Sequence, residues 1–585
     1  MIFSRKTPQF NKAIAAYYEK IVPDRDGGQW IECKFSGENF HARAQDVAFY
    51  RDMKVPLPTI CPRERRRIRL ASQNNYYLFK GYSAFSGELV ASMFSPNTLF
   101  NVFEHRVWYS DLWSAMDFSR GHNPSRSFFD QFHELQIEVP HPNLIVDRSN
   151  INSDYTNVSR RLKNCYLVFD QDGGEGLYYH QCCENDESCF DCFGLRHSSV
   201  CYECSLGNRL ERCFFCEMCA KCKGSYFLWD CVNSRHCFMS SGLRNKQYYF
   251  RNQFLGKREY ERKMKDIYLG DFDRLEELRK EFSEMKKRAA RRPLQIGAST
   301  NVACSDFVSR SENVYYSLLV TASSDIAYSD GVNRSHNCYD LLGGTEDERC
   351  YEMAQIRTGR NKQCKFSMHL DRCENVEYSS FCRDSSNCFG CIGLVGKEYC
   401  FLNIQYTRRE YWKKIDEVKT KMLSDGEYGE FFPPAHLPFP YRISLAASYP
   451  GFRDFEAAGR YGYDTSPVEE AGEKIEASGM FSDQLPKDIK KVGKGLLWNV
   501  IYDKANNKHF RFHKREVDFY REYNLALPRE DPTVRMQKRR EMINLDLRFY
   551  TRTCLECGRS FDTRHDPAAE EIVYCESCYQ RKVYK

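Results

Sequence analysis

Tyr166, Tyr178, Phe190, Tyr202, Phe214, Tyr226, Phe238 and Phe250 stand twelve residues apart along one stretch of the chain. With 15% aromatic residues overall, eight hits in one register have odds of about 10⁻⁷, so the period survives the thousands of registers open to trial. The preceding residue is cysteine at Cys165, Cys189, Cys201, Cys213 and Cys237. Twelve is a poor multiple of 3.6, so on a helix the rings would drift around the surface. The period suits a short-coil β-solenoid, or a 24-residue coil with two similar halves. Each ring would then stack on the next, small residues would fill the remaining core, and Asn, Asp, Gly and Ser would make the turns. An irregular array of metal knuckles is the competing reading.

The stretch is itself duplicated at a shift of 151. Cys237-Phe238 returns as Cys388-Phe389, Gly242-Leu243 as Gly393-Leu394, and Arg258-Glu259-Tyr260 as Arg409-Glu410-Tyr411. The second ladder is looser, at Tyr315, Tyr339, Tyr351, Phe366, Tyr378, Phe389 and Phe401. The two ends match as well, at a shift of 470. Val47 to Arg51 and Leu57-Pro58 recur as Val517 to Arg521 and Leu527-Pro528, continuing through Arg65/Arg535, Arg69/Arg539 and Asn74/Asn544. The order is A, B, B′, A′.

This predicts a mixed, β-rich α+β fold. Two solenoid-like blocks are each followed by helices and flanked by duplicated zinc-ribbon-like end modules. The divisions are an N-terminal helix (1–28), a ribbon-like module lacking its ligands (29–115), a connector with a short helix (116–150), block B (151–254) and a helical segment (255–293). Block B′ (298–406), a helix (407–425), a Pro- and Gly-rich linker (426–494) and a zinc-ribbon module (495–585) complete the chain. In the helical segment Asp273 is the expected cap, with Leu275, Leu278, Phe282 and Met285 as the apolar stripe. Tyr411, Ile415, Val418 and Met422 form the matching stripe after B′. Both helices are expected to cover an open solenoid end, since bare strand edges invite aggregation.

The motif with the clearest chemistry is Cys554-x-x-Cys557 followed by Cys575-x-x-Cys578. Two paired thiolates make a closed tetrahedral zinc site, structural because no position remains for substrate water. Shifted back by 471, the four ligands fall on Ser83, Ser86, Glu104 and Val107, which cannot hold zinc, so that module must stand on packing through Phe103, Trp108 and Trp113. Cys33, Ser36, Cys61 and Glu64 hint at a second, eroded pair of knuckles, matched at the rear by Asp503, Asn506, Asp531 and Val534.

Cys213-x-x-Cys216-x-x-Cys219-x-x-Cys222 looks like an iron–sulfur cluster run, but its last gap is two residues and Lys223 replaces the usual proline. Residues three apart on a strand face opposite sides, so stacked, reduced core cysteines are preferred over a cluster or further zinc.

The net charge of +6 over 585 residues implies no partner by itself; only local clustering could. Arg65, Arg69, Arg535, Lys538, Arg539 and Arg540 lie in basic clusters just before a ribbon or its relic, where they could contact phosphates. A solvated helix face explains the same clusters equally well. No apolar run reaches about 18 residues and the first residues are not a signal peptide, so the expectation is a cytoplasmic protein with no membrane partner and mostly reduced cysteines. No phosphate loop, dinucleotide fingerprint, serine elbow or His-Glu-x-x-His occurs.

The string Phe40…Asp46-Val47…Phe49-Tyr50…Val55-Pro56-x-Pro58…Cys61-Pro62, the Cys-aromatic ladders and the terminal ribbon resemble a zinc-ribbon-containing, Cys/aromatic-repeat protein family associated with candidate-phylum bacteria. Members of that family often keep cysteines at both ribbons, a pattern from which Ser83, Ser86, Glu104 and Val107 depart. The resemblance implies architecture and carries no activity. The leading expectation is a non-catalytic binding or scaffold protein with one structural zinc, contacting nucleic acid or protein through its end modules. The alternatives are a solenoid enzyme acting on a glycan, with Asp170, Asp172, Glu175, Glu184, Asp186 and Glu187 as the carboxylates nearest in sequence, and a multi-metal or redox protein built on the cysteine ladders.

Overall fold

The computed structural model describes residues 6–181, 199–202, 211–354, 359–468, 479–542 and 544–584. Cys189 and Phe190 of the ladder, with Glu184, Asp186 and Glu187, lie outside these residues. The fold is mixed α+β, with many short strands and twelve α-helices among the described residues. None of those helices is long and apolar enough to cross a membrane. Two compact units form. The first gathers Met1–Ile145, Gln295–Glu469 and Leu545–Leu547, and the second Val146–Leu294, Glu470–Asn544 and Arg548–Lys585. The front module therefore folds with B′, and the rear module with B.

In each unit the repeat block is a stack of parallel strands climbing twelve residues per step. Glu211–Phe214, Lys223–Trp229 and Phe238–Ser241 pair as Cys213↔Ser225 and Tyr226↔Phe238. In the first unit Val314↔Ile326, Ile326↔Cys338 and Cys388↔Cys400 keep the same step. One rung is longer, pairing Tyr351 with Lys365. Antiparallel strands Gln253–Phe254 and Ile404–Gln405 pair with the last rungs, so each stack ends on an edge strand only two residues long, which offers little to a further chain.

Every third residue turns a left-handed corner. Arg212, Phe215, Met218 and Lys221 have φ near +50°, and Asn233, His236 and Met239 continue the series in the next rungs. The corners abolish the alternation of an extended strand. Residues three apart consequently face the same side, contrary to the strand rule applied above. Cys213, Cys216, Cys219 and Cys222 are all buried in one interior cluster with Cys231 and Cys237. The first unit's interior is likewise filled by Val308, Val314, Val320, Ile326, Cys338 and Leu341, among others.

The corners strand backbone groups inside, and small side chains satisfy them. Ser329 Oγ donates to the Ala327 carbonyl at 2.8 Å and accepts the Leu341 N–H at 3.0 Å. Cys219 does the same with sulfur, donating to the Glu217 carbonyl at 3.2 Å and accepting the Cys231 N–H at 3.4 Å. Serine and cysteine recur at these positions because both are small enough for the interior and carry a donor and an acceptor on one atom.

The rings are not part of this interior. They follow the inward cysteine, stack along the outer face and are covered by helices. Phe214 stacks on Tyr226 at 5.4 Å and Phe238 on Phe250 at 5.0 Å. Phe49, on the Ala44–Asp52 helix, stacks on Tyr339 at 3.8 Å. The second ladder also needs one correction of register. The outer column runs Tyr351, Lys365, Glu377, Phe389, so Phe366 and Tyr378 sit one position beyond it. A lysine and a glutamate interrupt the aromatic column.

Two further expectations change. The cap of the Phe272–Arg288 helix is Asp271, not Asp273; its side chain accepts the Arg274 N–H at 3.0 Å. Leu275, Leu278 and Phe282 are buried as the stripe requires, and Phe282 meets Phe227 on the flank of the stack. Residues 426–468 have little regular structure but are no free linker: Tyr428, Phe431, Phe432, Tyr441 and Ala446 are buried in the first unit's main core.

Candidate metal centre

The strands Tyr550–Thr553 and Ser560–Thr563 form a hairpin whose tight turn carries the first two cysteines. The Cys554 N–H donates to the Arg559 carbonyl at 2.9 Å and the Gly558 N–H to the Cys554 carbonyl at 3.0 Å. Gly558 has φ +71°, a conformation that costs any residue with a β-carbon and thus fixes glycine there. Cys575 caps the N-terminus of the Glu576–Val583 helix and Cys578 lies in its first turn. The helix start supplies N–H groups and the positive end of its dipole, both of which favour thiolate.

The four sulfur atoms lie within 4.8 Å of one another, and Cys557 Sγ is 3.6 Å from Cys575 Sγ. Tetrahedral zinc with bonds of about 2.3 Å requires sulfur–sulfur edges of about 3.8 Å, so the donor set fits such an ion. The Cys575 N–H donates to Cys554 Sγ at 3.4 Å and Arg581 donates to Cys578 Sγ at 2.9 Å. Burial pushes the Cys554 thiol up, but backbone N–H groups of Cys575, Cys557 and Glu556 outweigh it and hold the group down at about 6. These four could hold a metal ion, and among the described residues no other group of three or more His, Cys, Asp or Glu ligand atoms comes so close.

Three other hairpins share this plan. Gln29–Glu32 pairs with Asn39–Ala42, Phe79–Tyr82 with Leu89–Ser92, and Ile501–Asp503 with Lys508–Phe510, in the register of Tyr550–Thr553 with Ser560–Thr563. Gly37 and Gly87 repeat the positive φ and the N–H bond back to Cys33 and Ser83. Direct contacts stand at the ligand positions. Ser83 donates to Glu104, and Asp503 accepts the Asp531 N–H at 3.1 Å and the Asn506 amide at 2.7 Å. Cys33 Sγ accepts the Cys61 N–H at 3.2 Å, and hydrogen bonds from Cys61 draw the Cys33 thiol down to about 4 while Cys61 is pushed up. The Ser83 module packs as expected, with Trp108 buried and Phe103 and Trp113 against it.

No protein-family model and no curated protein matches this chain.

The basic residues fall into two groups. Arg65 and Arg69, on the Pro62–Ala71 helix, are 2% and 1% exposed and both bind Asp340, at 3.0 and 2.8 Å. Arg535 is 3% exposed and binds Glu516 and the Tyr520 hydroxyl, each at 3.0 Å. These three arginines fasten helices, and none presents its guanidinium to a phosphate in solvent. The spacing of one helical turn that suggested a basic face puts Arg65 and Arg69 on one buried carboxylate instead. Lys538 is exposed, paired with Glu530, while Arg539 and Arg540 are half-buried. Of the carboxylates considered for glycan chemistry, Asp172 is held by Arg160 and Arg161 and Glu175 by Lys163. The sequence reading missed Lys365 and Glu377; the signal was the break they make in the aromatic column.

Proposed function

We propose that the chain is a non-catalytic binding or scaffold protein. In this reading its two stacks are rigid β-solenoids, each fused to zinc-ribbon-like modules, and one of those modules keeps a structural zinc at Cys554, Cys557, Cys575 and Cys578. The observation that carries it is the convergence of four thiols on one closed site, which leaves no coordination position for a substrate. The shared register of the hairpins supports a common origin of the modules, with hydrogen bonds standing in for metal in three of them. The hydrogen-bonded interior thiols give the cysteine ladders a structural role and fit a cytoplasmic protein with reduced cysteines. If the ends grip nucleic acid, Lys538, Arg539 and Arg540 are the residues left to do it, since they lie at the surface or half-buried.

Elemental analysis of the purified chain tests the zinc: about one zinc per chain is expected, lost in Cys578→Ser. Several metals per chain, or iron, would replace this reading by the multi-metal one. Binding to mixed single- and double-stranded oligonucleotides at low salt, with and without Lys538→Glu and Arg540→Glu, tests the nucleic-acid part. Equal binding by parent and variants removes it.

A further inference from the structure

The two charges that interrupt the aromatic column of the first unit open onto a cavity of about 260 Å³. The Pro8–Glu19 and Arg408–Ser424 helices bound it on one side and the outer face of the stack on the other. Phe10, Phe389, Tyr411 and Trp412 line it with rings. The Trp412 indole N–H is buried and finds no acceptor among the described residues.

The charges of the lining do not balance. Lys54, Arg349, Lys365 and Lys419 face two carboxylates of the lining, Asp52 and Glu377. Asp52 is taken by Arg349. Glu377 is shared, 3.2 Å from Lys365 and 2.6 Å from Lys419, and it also accepts the Tyr428 hydroxyl at 2.9 Å. Lys54 donates only to the neutral Asn11 side chain at 2.6 Å. Excess positive charge in a half-desolvated cavity is costly unless a counter-charge accompanies it. The lysines register that cost: burial pushes Lys365 down to about 8 despite Glu377, with Lys419 and Lys54 adding to the effect.

We propose that this cavity binds a small organic anion, an acid group carried on a single flat, apolar ring. Lys365 donates to the Met53 carbonyl at 3.1 Å and to the Tyr428 hydroxyl at 3.0 Å besides its pairing with Glu377, so its three protons are engaged. Lys419 makes one hydrogen bond, to Glu377, and with Lys54 it supplies the contacts to the acid group. The ring lies against Trp412 and Phe389. The volume admits a one-ring compound and excludes a dinucleotide or an oligosaccharide. Nothing in this assignment depends on the metal centre.

Titration calorimetry of the full chain with benzoate, phenyl phosphate and benzyl alcohol tests it. At least one anion should bind about tenfold or more tightly than the alcohol, and the affinity should fall as salt is raised. Preference for benzoate marks a carboxylate ligand, and preference for phenyl phosphate a phosphate monoester. Lys54→Gln, at the cavity edge, should weaken the anion about fivefold without lowering the melting temperature, and Lys419→Met should weaken it further. Anions that bind no better than benzyl alcohol, or that bind Lys54→Gln as tightly as the parent, would overturn the assignment.

Discussion

Replacing Ser329 by alanine tests why the interior of these stacks is made of serine and cysteine. The hydroxyl is wholly buried, donates to the Ala327 carbonyl at 2.8 Å and accepts the Leu341 N–H at 3.0 Å. Alanine removes both bonds and leaves a buried N–H without an acceptor, which costs about 1–3 kcal/mol. The expected loss is about 2 kcal/mol, seen as a drop of about 5 °C in the melting of the first unit. Ser329→Cys keeps a donor and an acceptor on one atom, as Cys219 does in the other stack, so it should lose less than half as much. Urea unfolding followed by circular dichroism gives the energies, and hydrogen exchange at the Leu341 amide localises them. An alanine variant within about 0.5 kcal/mol of the parent, or a cysteine variant as damaged as the alanine one, would refute the reasoning.

Two buried histidines contribute to the pH dependence with a definite sign. Burial holds His141 down at about 4, with its Nε2 2.8 Å from the Gln136 carbonyl, and holds His369 at about 3. Both are kept neutral, so the unfolded chain takes up protons first. The stability that each contributes above pH 6.5 is therefore lost on acidification, by up to about 1.4 kcal/mol per pH unit, and His369→Phe should lower the slope between pH 6.5 and 5 by about that amount relative to the parent. Equal slopes in parent and variant over that range would contradict the burial. Gly558→Ala places a β-carbon at φ +71°, so it should cost about 1 kcal/mol and weaken zinc retention under a chelator titration. Phe49→Ala removes a ring stacked 3.8 Å from Tyr339 between helix and stack, with an expected loss of about 3 kcal/mol by urea unfolding.

The four-cysteine cluster was legible because its geometry is local. Two Cys-x-x-Cys pairs with a glycine after the first need only a turn and a helix start, and both are present. The matching shifts between the two ends were legible too, and the hairpin registers agree with the alignment of Ser83 and Ser86 on Cys554 and Cys557. The arginines were not. A helix Pro62–Ala71 crowded with basic side chains reads as a solvated face, and only the stack supplies Asp340 and Asp330 to bury them. The anion cavity was hidden for a related reason. Lys365 and Glu377 occupy ring positions, but nearby Phe366 and Tyr378 disguised the break, and one longer rung shifted the register there.

The sequence by itself determined the twelve-residue step, the duplication, the helices that follow each block and the four thiols at the end, because each rests on spacing along the chain. Tertiary structure decided which face of each rung is inside. A left-handed corner at every third residue sets that, and Asn, Asp and Gly at corners such as Asn233, Asn245, Asp325 and Gly393 were a partial trace, because Phe215, Met218 and Tyr328 adopt the same conformation without local advertisement. It also decided that the front module folds with the second block and the rear module with the first. Spacing is a property of neighbours in the chain, whereas burial depends on which distant surface arrives to exclude the water.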